Sequence, residues 1–339
     1  MTDDRLPSHH GTLSGSLVTA RAPLSDQDIH ERLKHWMSYA GRALAKNTLL
    51  AIESDWKVFC AFCAVRSLRP LPADRTTVEQ FLRYMASSRA TTTLGRYLSS
   101  ISTLHQVAGL DNPCITMEVK YTLQEIRRNY GTAPRQAHPL RLEHLEQLTS
   151  HYTDIDSLTA RRDIALLSVA YDAMLRTSEI CTVKVSDLSI SDDGTGIVHL
   201  THSKTDQAGQ GAELFLSDQT VALVGEWLEA ANIDSGALFR GIKRPFGKQE
   251  IIQDRAISRS TAYRIFRSAS EMLGGEPWSG HSTRVGAAQD LVEANMDTAA
   301  IQQAGRWASS QMVHRYSRKI TAGRSAMAKF RQSRKDNND

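Results

Sequence analysis

The stretch from Ser279 to Ala288 reads SGHSTRVGAA. Gly280 permits a close approach of the backbone, and His281 and Arg284 stand three positions apart at the start of a predicted helix, so their side chains project from one face. Because the start of a helix favours negative charge, the pair predicts an anion site. A satisfied core histidine beside a surface arginine is the simpler alternative.

Upstream, the stretch YDAMLRTSEI (171–180) places Arg176 where an apolar helix gives way to a new helix start. An arginine that follows Met174 and Leu175 is costly to bury without a partner. The simple interpretation is an ion pair with Glu179.

Downstream, the stretch AGRWASSQMVHRYSR (304–318) contains Trp307 before a short predicted helix and Tyr316 at the end of that helix. A core tryptophan and an interfacial tyrosine would be unremarkable. The basic residues around Tyr316, however, suit a phenol that meets phosphate.

Helical spacing of apolar residues predicts an all-α first domain over residues 25–130, after a mobile arm at 1–24. Five helices are expected. They span 25–37, 47–65, 77–86, 91–108 and 115–130.

A segment with two prolines and a glycine, residues 131–139, predicts a linker to a second domain at 140–333, followed by a tail at 334–339. The second domain is mostly helical, with one hairpin predicted from the alternation in 197–202 and 213–216 around a glycine-containing loop. The predicted fold class is thus mainly α, with a small antiparallel sheet in the second domain.

Bulk features narrow the function. The chain has 339 residues and a net charge of +4, which suits two domains and mildly favours an anionic partner. Cys60 and Cys63 lie in a helical pattern, so buried thiols are favoured over a metal site. No apolar run spans a bilayer and no signal peptide is evident, so a cytoplasmic location without membrane contact is expected.

The ordered combination of residues resembles the tyrosine recombinase (phage integrase) family, and within it the Cre-like recombinases, across both predicted domains. The resemblance implies a SAM-like core-binding domain followed by a catalytic domain of the tyrosine recombinase type. One departure is Arg306, where a glycine is expected; we expect it to add a charge beside the site. The family's catalytic positions map onto Arg176, Glu179, Lys204, His281, Arg284, Trp307 and Tyr316.

The resemblance implies strand cleavage by Tyr316, which gives a 3′-phosphotyrosine and a free 5′-hydroxyl, with later exchange through a Holliday junction. Arg176 and Arg284 would clamp the phosphate, and Glu179 would hold Arg176 or His281 in place. His281 would take the tyrosine proton, Trp307 would donate to a non-bridging oxygen, and Lys204 would protonate the leaving oxygen. No metal, nucleotide or other cofactor is expected, and no Walker loop is present.

The implied partner is double-stranded DNA with inverted-repeat sites, bound by a homotetramer that is a monomer or weakly associated off DNA. The helix at 322–332 would dock into a neighbouring protomer, although packing on its own domain is the simpler reading. The candidate DNA contacts lie near helix starts. They are Lys46, Asn47, Thr92, Arg96, Arg259, Tyr263 and Arg264.

Two rival functions stay open. A type IB topoisomerase or telomere resolvase shares the arginine, lysine and tyrosine chemistry, although the small first domain and the context of Trp307 favour recombination. A DNA-binding protein without activity on the same scaffold is the other, and the filled catalytic positions count against it.

Overall fold

The computed structural model describes residues 24–132, 136–153, 155, 157–201, 211–244 and 249–336. The chain divides into two compact units, Met1–Pro134 and Arg135–Asp339. Within the described ranges no helix is long and apolar enough to cross a membrane. Lys204 and all of the predicted N-terminal arm except Leu24 lie outside these ranges.

The first unit is built from α-helices in its described residues, as the apolar spacing predicts. Ser25 caps the first helix by accepting the Asp28 N–H, and Asp74 caps the third by accepting the Thr77 N–H. Gly109 ends the fourth in the left-handed conformation that favours glycine. The helices are α1 (Asp26–Ala43), α2 (Lys46–Val65), α3 (Arg75–Ala86), α4 (Thr91–Ala108) and α5 (Met117–Tyr130).

Aromatic rings from three helices fill the core of the first unit. Phe81 of α3 lies at its centre, with ring centroids 5.0 Å from Phe59 and 5.2 Å from Phe62 on α2, and 5.3 Å from Tyr97 on α4. Cys63 is fully buried in the same core, where burial raises the pKa of its thiol to about 11. Its surroundings are therefore those of a core thiol.

Helices also dominate the second unit. The central one, α7, is buried along most of its length and packs against α6, α9 and α11. The helices are α6 (Leu142–Thr153), α7 (Leu158–Asp172), α8 (Thr177–Ile180), α9 (Asp218–Ala231), α10 (Arg259–Met272), α11 (Ser282–Glu293), α12 (Thr298–Ala304), α13 (Gln311–Gly323) and α14 (Ala326–Asp336).

Two small antiparallel sheets complete the second unit. One has the strand order β1 (Leu188–Ile190), β2 (Gly196–Leu200) and β3 (Ala212–Leu216). The β2–β3 hairpin is the predicted one. The other sheet pairs β4 (Arg240–Lys243) with β5 (Ile251–Ala256), and neither this pair nor β1 was predicted.

Two predicted helix boundaries near the C-terminus were wrong. α13 does not end at Tyr316 but continues to Gly323, because basic and polar residues on its exposed side extend the helix without adding apolar periodicity. α14 begins later than predicted and runs to Asp336, so the start of the predicted tail is helical.

Candidate active site

Tyr316 lies in the middle of α13, and its side chain is largely buried. Its ring meets the Trp307 ring edge-on, with 5.5 Å between the two centroids. The side-chain amides of Gln289 and Gln136 donate to its main-chain carbonyl at 3.0 and 3.3 Å. Contacts therefore fix this residue on both its ring and its backbone.

Arg284, in the first turn of α11, is 1 % exposed although it carries a charge. Its guanidinium donates to the carbonyl oxygens of Met174 and, at 2.5 Å, of Gly305. Its central carbon lies 5.2 Å from the centroid of the Trp307 ring. Burial, followed by the charge of nearby Arg176, lowers the pKa of Arg284 to about 10, so it remains a cation at neutral pH.

The Glu179 carboxylate joins two further arginines. Its Oε1 accepts from Arg176 Nη1 at 2.6 Å, and its Oε2 accepts from Arg306 Nη2 at 2.6 Å and from the Arg176 main-chain N–H at 2.8 Å. The Glu179 side chain is only 4 % exposed. Arg176 and Arg306 thus share one carboxylate, and Arg284 adds a third guanidinium close enough for its pKa to feel that carboxylate and Arg176. The cluster keeps excess positive charge that an anion could neutralise.

The backbone at this cluster is strained. Met174 and Arg306 both have left-handed φ angles, of 44° and 50°, at a cost of about 1 kcal/mol each. Arg306 Nη1 donates to the Ala173 carbonyl at 3.1 Å, and its Nη2 lies 3.4 Å from the Met174 carbonyl that Arg284 also uses. The Met174 turn therefore places one carbonyl between two guanidiniums.

Gly280 has a steric role in holding the cluster together. A Cβ at this position would lie 1.6 Å from Oγ1 of Thr177, the first residue of α8. Only a glycine allows the loop that carries His281 to lie so close to the start of α8, where Arg176 stands. The close approach predicted from Gly280 is observed.

His281 occupies the N-cap position of α11 and is solvent-exposed, in contrast to the buried Arg284 on the same helix. Partial burial of its ring, and then the positive charges of Arg284 and Arg176, lower the pKa of His281. The neutral imidazole, which can accept a proton, is therefore favoured at neutral pH.

Lys204 lies outside the described residues, in the segment that joins β2 to β3. The two strands pair up to Leu200 and Ala212. Leu200 and Thr201 line a surface cavity of 460 Å³ together with Glu179. The end of β2 thus lines the same cavity as Glu179.

Comparison with known proteins identifies the chain's relatives. Residues 138–322, more than half of the chain, match the phage integrase family. The chain belongs to this family. It is 27 % identical to the recombinase Cre of Escherichia phage P1 over 305 residues, which cover 85 % of this chain and 89 % of Cre. It is 28 % identical over 286 residues to an integrase/recombinase XerD homolog of Selenomonas ruminantium, covering 81 % and 82 %.

Solved structures show the same fold. The Tn1549 transposon integrase in complex with transposon right end DNA has a TM-score of 0.59 at 13 % identity, covering 88 % of this chain and 99 % of that one. A lambda integrase dimer bound to a COC′ core site has a TM-score of 0.56 at 16 % identity, covering 85 % and 76 %. The family match and the relatives named as recombinases together show that this chain is a tyrosine recombinase, an enzyme of site-specific recombination.

The structure gathers six of the seven family positions in the second unit. These are Arg176, Glu179, His281, Arg284, Trp307 and Tyr316. The ion pair between Arg176 and Glu179, which the simple interpretation expected, is present. It is part of the arginine cluster, so it is compatible with a role of Arg176 in binding an anion. The second bond of Glu179 goes to Arg306, whereas the sequence suggested His281 as the alternative to Arg176.

Three residues at this tyrosine recombinase site escaped the sequence reasoning. Arg306 was expected only to add a charge, yet its side chain is 10 % exposed and paired with Glu179. Its one signal was the departure from the glycine of the family pattern. Gln136 lies in a segment interpreted as linker, and Gln289 lies inside a helix, so neither amide carried a signal.

The seven predicted DNA contacts are exposed. In the first unit, Lys46 and Asn47 begin α2, whereas Thr92 and Arg96 lie near the start of α4. Arg96 Nη2 is 2.8 Å from Oδ1 of the buried Asp55. In the second unit the candidates lie on the first two turns of α10. These are Arg259, Tyr263 and Arg264.

Proposed function

We propose that this tyrosine recombinase cleaves and rejoins DNA through a covalent 3′-phosphate bond to Tyr316. The observation that carries the proposal is the position of Tyr316, in contact with Trp307 and beside a buried arginine cluster that has more positive than negative charge. A DNA phosphodiester brings one negative charge, which this cluster would neutralise.

In this proposal Arg176 and Arg284 hold the non-bridging oxygens of the scissile phosphate. A guanidinium has five N–H donors, so the two carbonyl bonds of Arg284 leave donors for a phosphate oxygen. Glu179 holds Arg176 through both its side chain and its main chain. The clamp is thereby preorganised and needs little rearrangement to bind the transition state.

Proton transfer is assigned to His281 and Lys204. The Tyr316 oxygen attacks phosphorus, its proton passes to neutral His281, and the bond from phosphorus to the 5′ oxygen breaks. Lys204 gives a proton to that leaving oxygen, while the Trp307 indole N–H donates to a non-bridging oxygen. A second 5′-hydroxyl reverses the step, and no metal or nucleotide takes part.

On DNA, residues 25–130 serve in this proposal as a core-binding domain and residues 140–333 as the catalytic domain. The exposed residues named above on α2, α4 and α10 contact the duplex. Four copies would assemble on two inverted-repeat sites, where strands exchange through a Holliday junction. Met327 and Phe330 are the exposed apolar residues of α14 that would dock into a neighbouring copy. Because its substrate is DNA, we place the enzyme in the cytoplasm.

Trapping the covalent intermediate tests the proposal. Duplexes from the DNA that flanks the gene, each nicked beside a candidate cleavage point, lose the short 5′-hydroxyl strand after cleavage and so cannot be rejoined. We expect a protein–DNA adduct that withstands denaturation, with Tyr316 as the attached residue and none from Tyr316→Phe. Equal trapping by that variant, or no adduct from any duplex, would contradict the proposal.

A plasmid assay separates recombination from topoisomerase action. A supercoiled plasmid with two copies of the trapped site should yield two circles or an inverted segment. Relaxation of the plasmid without exchange of the segments would favour the topoisomerase reading.

A further inference from the structure

Arg306 stands where the family pattern has glycine, and the structure gives it a defined partner. Its guanidinium is 2.6 Å from Glu179 Oε2, while the other oxygen of Glu179 binds Arg176. Both side chains of the pair are at least nine-tenths buried. The Glu179 carboxylate is therefore held from two sides by guanidiniums.

The conformation of Arg306 indicates that this contact offsets a local cost. With φ at 50°, Arg306 is in the left-handed region, which glycine occupies without strain and arginine does not. Two further bonds, to the Ala173 and Met174 carbonyls, anchor its guanidinium to the turn just before Arg176. Arg306 thus links the segment before Trp307 to the segment that presents Arg176.

We propose that Arg306 is a positioning residue of the phosphate clamp, which aligns Arg176 by fixing Glu179. Without Arg306, one oxygen of Glu179 loses its guanidinium and the carboxylate can rotate on its remaining contacts. Arg176 Nη1, which is 2.6 Å from the other oxygen, moves with it. The inference rests on the proposed function, because it assigns to Arg176 the role of phosphate ligand.

Substitution of Arg306 separates alignment from folding. Arg306→Gly removes the ion pair and relieves the left-handed strain, and Arg306→Asn does the same with a side chain that tolerates positive φ. We expect both variants to fold, with melting temperatures within about 5 °C of the wild type. Formation of the covalent complex on the nicked duplex should slow by about 10- to 100-fold, because clamp geometry limits the chemical step.

Two matched variants control for charge and for the choice of residue. Arg306→Lys keeps one cation near Glu179 and should recover part of the lost rate. Arg267→Gln removes an arginine that pairs with Glu271 on the exposed face of α10, and it should cleave at the wild-type rate. Loss of charge alone then cannot explain the effect of Arg306→Gly.

A double-mutant cycle tests whether Arg306 acts through Arg176. If it does, Arg306→Gly should slow cleavage by less than about threefold when it is introduced into the Arg176→Ala variant. A fully additive effect would mean that Arg306 acts on the phosphate directly and would overturn the positioning role. Direct contact with the phosphate is the alternative to test, because Arg306 Nε is buried without a hydrogen-bond partner among the described groups and could donate to a phosphate oxygen.

A neutral substrate supplies the second readout. When a methylphosphonate replaces the scissile phosphate, one charged oxygen is gone and the clamp has less to neutralise. The fold-loss of cleavage rate caused by Arg306→Gly should therefore be smaller on one diastereomer of the methylphosphonate duplex than on the phosphate duplex. Wild-type rates in Arg306→Gly, or an equal loss on both duplexes, would overturn the inference while leaving the proposed function intact. Failure of the wild type to form any adduct would instead overturn the proposed function, and the inference with it.

Discussion

The side-chain amide of Gln289 donates a hydrogen bond of 3.0 Å to the main-chain carbonyl of Tyr316. Gln289 lies on α11, five residues after Arg284, whereas Tyr316 lies on α13. The bond therefore ties the helix of the proposed nucleophile to the helix of a proposed phosphate ligand. Gln136 reaches the same carbonyl over a longer distance, 3.3 Å.

Removal of the Gln289 amide should affect both stability and cleavage. Gln289→Met keeps the length of the side chain but cannot donate, so the free energy of unfolding should fall by about 1 kcal/mol. Because α13 loses a fixed point next to Tyr316, adduct formation on the nicked duplex should slow by about tenfold. Gln136→Met, which breaks the longer bond, should have the smaller effect on both measurements. The reverse order would contradict this account.

Gly286 of α11 packs directly on the backbone of the second unit. A Cβ at this position would lie 1.7 Å from the Leu140 carbonyl oxygen, an atom that cannot move aside without breaking the chain contact at Ser282. Gly286→Ala should therefore lower the free energy of unfolding by about 3 kcal/mol or more. Chemical denaturation monitored by circular dichroism measures this change.

Gly225 supplies the matched control for that substitution. It lies inside α9, and nothing stands within 4 Å of a Cβ added there. Gly225→Ala should raise the free energy of unfolding by about 0.5–1 kcal/mol, because alanine has less freedom to lose in a helix. A loss of stability at Gly225, or none at Gly286, would count against the packing described here.

The helices could be predicted from the sequence because their apolar spacing is strong, as in α3 and α4. The β2–β3 hairpin could be predicted from its alternation as well, but β4 and β5 could not. β4 reads Arg-Gly-Ile-Lys and β5 is mostly exposed, so neither shows the alternation of a half-buried strand. Their pairing depends on contacts made in the folded unit, which no local pattern records.

At the site, the sequence identified residues whose type and order carry the chemistry, such as Arg176 and Tyr316. It could not identify partners chosen by three-dimensional proximity. Arg306 binds Glu179 across 127 positions, and Gln136 bonds the Tyr316 carbonyl across 180. The helix end at Tyr316 was misplaced for a related reason, since the last two turns of α13 are largely exposed.

His105, buried in the first unit, should make that unit sensitive to acid. Its Nε2 accepts the Ala73 N–H at 2.9 Å and its Nδ1 lies 2.8 Å from the Ile101 carbonyl, so the bonded form is the neutral ring. Burial lowers the pKa of His105 below its ordinary value of 6.5. The unfolded chain therefore takes up a proton near pH 6.5 that the folded unit resists.

The stability that His105 contributes should be fully present above pH 6.5 and should fall as the pH drops through the lowered pKa. Thermal unfolding between pH 7.5 and 5 checks this. At pH 7.5 His105→Gln should have a lower melting temperature than the wild type, but its melting temperature should fall less between pH 7.5 and 5. His30→Gln, at an exposed position of α1, should match the wild type across the range. A steeper acid loss in His105→Gln would refute the assignment.

The lowered pKa of His281 makes a second prediction about pH, this time for the reaction. If the neutral ring takes the Tyr316 proton, the rate at low DNA concentration reports the protonation of the free enzyme. That rate should be level between about pH 7 and 8 and should fall below pH 6.5, as His281 gains the proton that the charges of Arg284 and Arg176 disfavour. His281→Gln should be about 100-fold slower and should lack this acid limb. His314→Gln, at an exposed position two residues before Tyr316, should keep it. An acid limb that persists unchanged in His281→Gln would assign the proton to another group.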